Sequence, residues 1–227
     1  MGYTVLTSYD TSLCASKCDK IDGCAAFNLY YERDPSQDPG TGCENPSSTI
    51  NIKCVFWGGP VSVDNAKNYG QYRNQFHVVI AGSNGYVSNK LSPPSGFSDP
   101  MPLGDAAINA PLDCNSKDTY LGDRIFQTGP FDVSKCAAAC KAQADYNRAH
   151  PATDGSVTKT CQFFNTYMLL KNGDAVGQYC ALYAQSWPAS YATNRGQYRG
   201  SDKYTIAYSF ISSNATNPAP ACQPSKV

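Results

Sequence analysis

The sequence predicts an α+β protein made of two tandem disulfide-stapled modules, each a small antiparallel sheet packed on one helix. The first observation behind this is an internal echo: residues 14–73 recur as residues 136–199. Copy one reads Cys14-x3-Cys18, then Cys24-Ala25-Ala26-Phe27-Asn28, Cys54, and Asn68-Tyr69-Gly70-Gln71-Tyr72-Arg73. Copy two reads Cys136-x3-Cys140, then Cys161-Gln162-Phe163-Phe164-Asn165, Cys180, and Asn194-Arg195-Gly196-Gln197-Tyr198-Arg199. The second observation is spacing: the last cysteine precedes the Gly-Gln-Tyr-Arg glycine by sixteen residues in both copies (70 − 54; 196 − 180). Matching chemistry at matching spacing marks a repeated unit. The third is the run of eleven cysteines without dense Cys/His clusters, which favours disulfides over metal and hence an oxidising compartment.

The elements follow in order. Residues 3–8 alternate β-formers and read as a short strand. Asp10 or Thr11 caps a helix whose apolar positions Cys14, Ala15, Cys18 and Ile21 share one face, and Gly23 sits where a C-cap belongs. Strands then fit 25–32, 52–57 and 76–81, with 34–49 as a long Pro/Gly/Ser/Asp loop carrying Cys43. In copy two, 123–127 is a strand and Asp132 caps a longer helix with Val133, Cys136, Ala137, Cys140 and Ala144 on one face. Strands over 161–170 and 179–187 flank the hairpin signal Asn172-Gly173, and 205–211 closes the module.

These elements divide the chain into module 1 (1–87), a Pro/Ser/Gly-rich linker (88–113) around Pro93-Pro94, Pro100 and Pro102, module 2 (114–222) and a tail (223–227). Modules of about 90–110 residues bury modest cores, so covalent staples matter. The chain opens at Met1-Gly2 and enters strand-like sequence at once, the expectation for a secreted protein in trimmed form.

Cysteines at i and i+4 lie on one helix face about a turn apart, each placed to reach a different strand. The economical pairing is Cys14–Cys54 with Cys18–Cys24, and Cys136–Cys180 with Cys140–Cys161. Spacing does not fix connectivity, and the swapped pairings stay open. Cys114 and Cys222 bracket module 2, and a bond between them would tie its ends. That leaves Cys43 as the odd thiol, unpaired or bonded to another chain.

A helix bearing C-x3-C, a third cysteine followed by x-x-Phe, and a fourth in a later strand resembles the PAN/apple domain, across both modules. The terminal pair Cys114 and Cys222 matches the longer apple variant; module 1 departs in lacking such a pair. The Gly-Gln-Tyr-Arg segments and the run Lys53-Cys54-Val55-Phe56-Trp57-Gly58-Gly59-Pro60 resemble fungal secreted members of this kind. The resemblance implies binding to carbohydrate or extracellular protein rather than catalysis, without a cofactor.

Composition limits the alternatives. Eighteen basic and eighteen acidic residues give zero net charge, which argues against nucleic acid as a partner. No apolar run approaches the roughly 20 residues of a membrane span. The histidines are His77 in an alternating strand and His150 at a helix end; a Cys–His nucleophilic pair would need a free cysteine, and the one candidate, Cys43, sits in a loop of flexible composition, while the aspartates fall mostly at caps and turns. An enzyme is therefore disfavoured, with paired glycosidase-type carboxylates as its least implausible form. C-x3-C lacks zinc-knuckle spacing, and no EF-hand loop is present, so no metal is expected.

Binding candidates are Tyr72, Arg73, Tyr198 and Arg199, because an aromatic beside a planar cation can stack on a sugar or anchor a protein. The plainer alternative is a framework turn with Tyr packed under the sheet and Arg bonded to backbone. The segments 34–49 and 146–159 differ between copies and are candidates for specificity. Trp57 and Trp187 read as sheet-packing residues. Asn214-Ala215-Thr216 is a glycosylation sequon, whereas Asn45-Pro46-Ser47 is blocked by its proline.

Overall fold

The computed structural model describes residues 1–151, 153, 157–216 and 222. The tail 223–227 and part of the 146–159 segment lie outside these residues. The chain forms two compact units, Met1–Ser88 and Asn89–Val227, both α+β with antiparallel sheets.

Unit 1 contains β1 (Tyr3–Leu6), α1 (Thr11–Cys18), β2 (Ala26–Pro35), β3 (Ser48–Trp57), β4 (Tyr72–Arg73), β5 (Phe76–His77) and β6 (Val79–Val87). Its main sheet runs β1-β3-β2-β6. Unit 2 contains β7 (Met101–Gly104), β8 (Ala107–Ile108), β9 (Tyr120–Phe126), α2 (Val133–Ala149), β10 (Phe163–Lys171), β11 (Asp174–Tyr183), β12 (Ala192–Asn194), β13 (Gly196–Arg199) and β14 (Asp202–Ser213). Its sheet runs β13-β14-β10-β11-β9, with β7 added on β14.

Register makes the two sheets copies of one another. Leu29 pairs with Cys54 across β2 and β3, and Thr166 with Cys180 across β10 and β11. Ala26 pairs with Val87 in unit 1, and Phe163 with Ser213 in unit 2. A bulge interrupts the ladder at the same place in each, between Leu29 and Tyr31 and between Thr166 and Met168. The Phe-Asn motif explains how the bulge is held. Asn28 Nδ2 donates to Ser83 Oγ and the Asn84 carbonyl, each at 3.3 Å. Asn165 Nδ2 donates to Ser209 Oγ and the Phe210 carbonyl, each at 2.9 Å. In each unit the asparagine amide thus ties its own strand to the residues at the edge of the bulge.

Both helices begin where an aspartate side chain caps them. Asp10 accepts from Leu13 N at 2.9 Å, and Asp132 from Ser134 N at 2.8 Å. The first helix ends at Cys18, earlier than its apolar pattern predicted, and Gly23 is not its C-cap. Gly23 instead takes φ 74° in the turn that brings Cys24 back to Cys18. A cross-link closing so few residues cannot span further helical turns.

The buried helix faces meet the sheets in two matching cores. Cys14, Cys18, Phe27, Leu29, Cys54 and Phe56 form one. Cys136, Ala137, Cys140, Phe164, Cys180 and Leu182 form the other. Each buried Phe or Leu contributes about 1.5–3 kcal/mol. Five disulfides cross these cores and ends: Cys14–Cys54, Cys18–Cys24, Cys136–Cys180, Cys140–Cys161 and Cys114–Cys222. Each helix is thus tied to one strand and to the residues leading into its neighbour.

Several expectations need correction. Residues 88–113 are not merely a linker: β7 pairs with β14, and β8 pairs with β12. The prolines that suggested a linker suit an edge strand, where a missing N–H costs little. The loop expected over 34–49 is shorter, since the β2–β3 ladder continues through Asp34↔Thr49 and Pro35↔Ser48. The single strand expected over 76–81 breaks into β5 and β6 at Val78. Trp57 is 46% exposed, while Trp187 is buried with Nε1 donating to Thr119 Oγ1 at 2.8 Å.

Candidate recognition surfaces

The Gly-Gln-Tyr-Arg segments form the same hairpin twice. Asn68 Oδ1 accepts from Gly70 N at 3.1 Å, and Asn194 Oδ1 from Gly196 N at 3.0 Å. The glycines take φ 98° and 109°, and a Cβ on either would lie 2.1 Å from a backbone oxygen, of Val78 or of Tyr204. Only glycine fits such an approach. Tyr72 faces His77 across one hairpin, and Tyr198 faces Lys203 across the other. A left-handed residue, Asn74 or Gly200, turns each.

Framework duty therefore falls on the Asn and Gly. The tyrosines are not packed under the sheets: Tyr72 and Tyr198 are each 70% exposed. The Tyr72 ring stacks on His77 at 4.4 Å. Arg73 is exposed, and the exposed Arg199 guanidinium lies 4.6 Å over the Tyr204 ring. All four binding candidates thus reach solvent, as two separate pairs.

Unit 2 adds tyrosines on the sheet face turned away from α2. Tyr120 Oη donates to Asp123 Oδ1 at 2.8 Å. Tyr167 and Tyr179 stack at 5.1 Å, and Tyr120 meets the edge of Tyr183 at 5.6 Å. Burial, then the Asp123 carboxylate, pushes the Tyr179 phenol up to about 12. Burial first and the charge of Tyr179 next raise Tyr167, against a lowering pull from Arg199. Neutral phenols, a carboxylate and a guanidinium offer both donors and acceptors, the chemistry of hydroxyl recognition. This group went unread in the sequence because three strands contribute to it. The only linear trace is the alternation of Tyr179 and Tyr183.

The same face of unit 1 is differently furnished. Lys53 replaces Tyr179 at the equivalent register and pairs with Glu32 and, at 3.5 Å, with Asp34. Asn51 Nδ2 donates to Asp34 at 2.8 Å, and the Lys53 ammonium lies 5.2 Å from the Tyr3 ring centroid. These carboxylates are engaged by one cation, an arrangement suited to structure.

Cys43 is half-exposed in the β2–β3 loop, where Gln37 Nε2 donates to its sulfur at 2.9 Å. Asn214 follows β14. Its Oδ1 accepts from Thr216 N at 3.0 Å and Thr216 Oγ1 at 2.9 Å, while its Nδ2 donates to Gln162 Oε1 at 2.9 Å. Glycosylation there requires that last bond to break. His150 sits at the C-cap of α2 with its ring nitrogen 2.9 Å from the Tyr146 carbonyl. Among the described residues no cluster of three His, Cys, Asp or Glu side chains is arranged to hold a metal, and no helix is long and apolar enough to cross a membrane. No known protein family, curated protein or solved structure matches this chain.

Proposed function

We propose that this chain is a non-catalytic extracellular recognition protein of the PAN/apple kind, binding carbohydrate or protein ligands through its two hairpins. The observation that carries this is the pairing of Tyr72 with Tyr198. Both are held in the open on a glycine-and-asparagine framework, Tyr72 with one ring face against His77 and the rest in solvent. A large exposed aromatic at a rigid, repeated place favours contact with a partner over folding. The five disulfides fit an oxidising, extracellular setting.

Saccharide is the better-supported ligand in unit 2, where Tyr198 and Arg199 share a module with the Tyr120, Asp123 and Tyr179 group. The two modules together give an avidity gain of about 10²–10⁴ when both engage one surface. A glycan array probed with the native chain and with the Tyr72→Ala/Tyr198→Ala double variant tests the reading. The native chain gives a signal that the variant loses, with unfolding free energies equal within about 0.5 kcal/mol. A silent array beside specific capture of an extracellular protein moves the ligand to protein. Turnover of a polysaccharide by purified chain overturns the non-catalytic reading.

A second reading, covalent assembly, rests on the half-exposed Cys43 thiol. Only monomer on a non-reducing gel removes it.

A further inference from the structure

Unit 2 wears a strand that unit 1 lacks. Residues 96–104 run antiparallel along the outer edge of β14. Ala215 N donates to the Gly96 carbonyl at 3.0 Å, and Ser98 N to the Ser213 carbonyl at 2.8 Å. Beyond these, Met101, Pro102 and Gly104 pair with Ile211, Phe210 and Ser209. The segment also inserts Phe97 between α2 and the sheet. There Phe97 is 7% exposed, packs with Ala137 and Cys140, and lies 5.1 Å from the Phe164 ring.

The register equivalence carries every one of these positions into unit 1. Ser209 to Ser213 correspond to Ser83 to Val87, Phe164 to Phe27, and Ala137 and Cys140 to Ala15 and Cys18. At those places no strand is added, although the Val61 side chain lies against Gly85. Among the described residues β6 pairs with β2 alone, and its residues are exposed except Ile80. In the position of Phe97 lies an open groove of about 350 Å³, lined by Ala15, Cys18, Phe27, Tyr86 and Val87 among others. Tyr86 stands where unit 2 has Ser212. It stacks on Phe27 at 4.9 Å, forms one wall of the groove and is still 37% exposed. β6 carries no charge and no proline over nine residues; of the usual devices that blunt a sheet edge it has the bulge between Ala81 and Asn84, at the start of the Ser83–Val87 stretch.

We propose that the β6 edge and the adjoining groove form a docking site for an extended, apolar segment of a partner protein. The segment adds a strand antiparallel to β6 and seats one apolar side chain against Ala15, Cys18 and Phe27. Main-chain bonds give the affinity and the groove gives the selectivity, as in other strand-addition sites. A second copy of this chain is a poorer occupant. Its β6 has its one large groove-side ring, Tyr86, already committed to Phe27, and its residues 96–104 are committed to its own β14.

A synthetic peptide of residues 95–104 serves as the probe, added to the full chain and followed by amide exchange and fluorescence anisotropy. The expected result is saturable binding with slowed exchange at Ser83–Val87. Binding weakens by at least about tenfold when the peptide's Phe97→Ala form is used or when Ala15→Tyr fills the groove. Tyr86→Ser, which restores the room unit 2 has, tightens binding by about tenfold, or ~1.4 kcal/mol. No protection of Ser83–Val87 at about 1 mM peptide overturns the proposal, as does protection elsewhere. Binding indifferent to both Ala15→Tyr and Tyr86→Ser overturns it too. Protection that grows with protein concentration in the absence of peptide assigns the edge to a second copy and likewise sinks it.

Discussion

Tyr208 stands at φ 55° on the bulge of β14, where its counterpart on β6, Gly82, stands at φ 60°. The fold demands a left-handed residue at this point, and unit 2 meets the demand with a side chain that glycine would spare. Compensation comes from packing: the Tyr208 ring lies 4.8 Å from both Phe131 and Phe210. Its hydroxyl is buried without a partner among the described residues, and burial pushes its pKa up to about 12.

Two substitutions follow from that pair. Tyr208→Phe keeps the ring contacts, drops the unpaired hydroxyl and should stabilise by about 1 kcal/mol. Gly82→Ala forces a Cβ into left-handed backbone beside Tyr31 and should cost about 1–2 kcal/mol. Urea unfolding of the two variants checks both signs.

The asparagine stitches differ in burial and should differ in worth. Asn165 is fully buried, and besides its two donor bonds its Oδ1 accepts from Ile108 N at 2.8 Å. Asn165→Ala strands several buried groups and should cost about 3 kcal/mol or more. Asn28 bonds the matching atoms near solvent at longer range, so Asn28→Ala should cost about 1 kcal/mol. Equal costs would mean the asparagine acts through backbone preference, not through its bonds.

The two short staples enclose different lengths of chain. Cys18–Cys24 spans six residues and Cys140–Cys161 spans 21. The chain-entropy relation assigns about 2 kcal/mol to the first and about 3 kcal/mol to the second. Replacing each pair by serine and comparing denaturation midpoints should reproduce that order.

Unit 1 carries a pH dependence in its Lys53 group. Burial alone would raise the Asp34 pKa, but the Asn51 amide and the Lys53 ammonium outweigh it and hold Asp34 below its ordinary value. A carboxyl depressed by folding contributes stability above its unfolded pKa and loses it as pH falls through the folded one. Burial likewise works against Lys53, yet its bond and attraction to Glu32 hold its pKa above the ordinary value. That contribution is present below the ordinary lysine pKa and is lost as pH rises through the raised one. Unit 1 should therefore weaken below about pH 4 and above about pH 10.5. A Trp187→Phe chain leaves Trp57 as the reporter of unit 1 for this titration. Lys53→Met should cost stability at neutral pH and reverse the acid limb, because the orphaned carboxyls then favour protonation.

Much of this protein is written in linear order. Cysteine spacing, helix caps, the Phe-Asn and Gly-Gln-Tyr-Arg motifs and the repeat itself are local signals, each governed by a few neighbouring residues. From them came the two α+β units, the helices at Asp10 and Asp132 and an economical pairing of ten cysteines. Tertiary structure decided the rest. It alone turned Tyr72 and Tyr198 outward, assembled Tyr120, Asp123 and Tyr179 from separate strands, and gave residues 96–104 to β14 instead of a linker. Those outcomes depend on which strand lies beside which, and side chains that meet only through a sheet leave no periodic mark along the chain. The bare edge of β6 is of the same kind: the sequence marked a strand only over 76–81, and only the neighbours of β6 say how far it runs and whether a place beside it is filled.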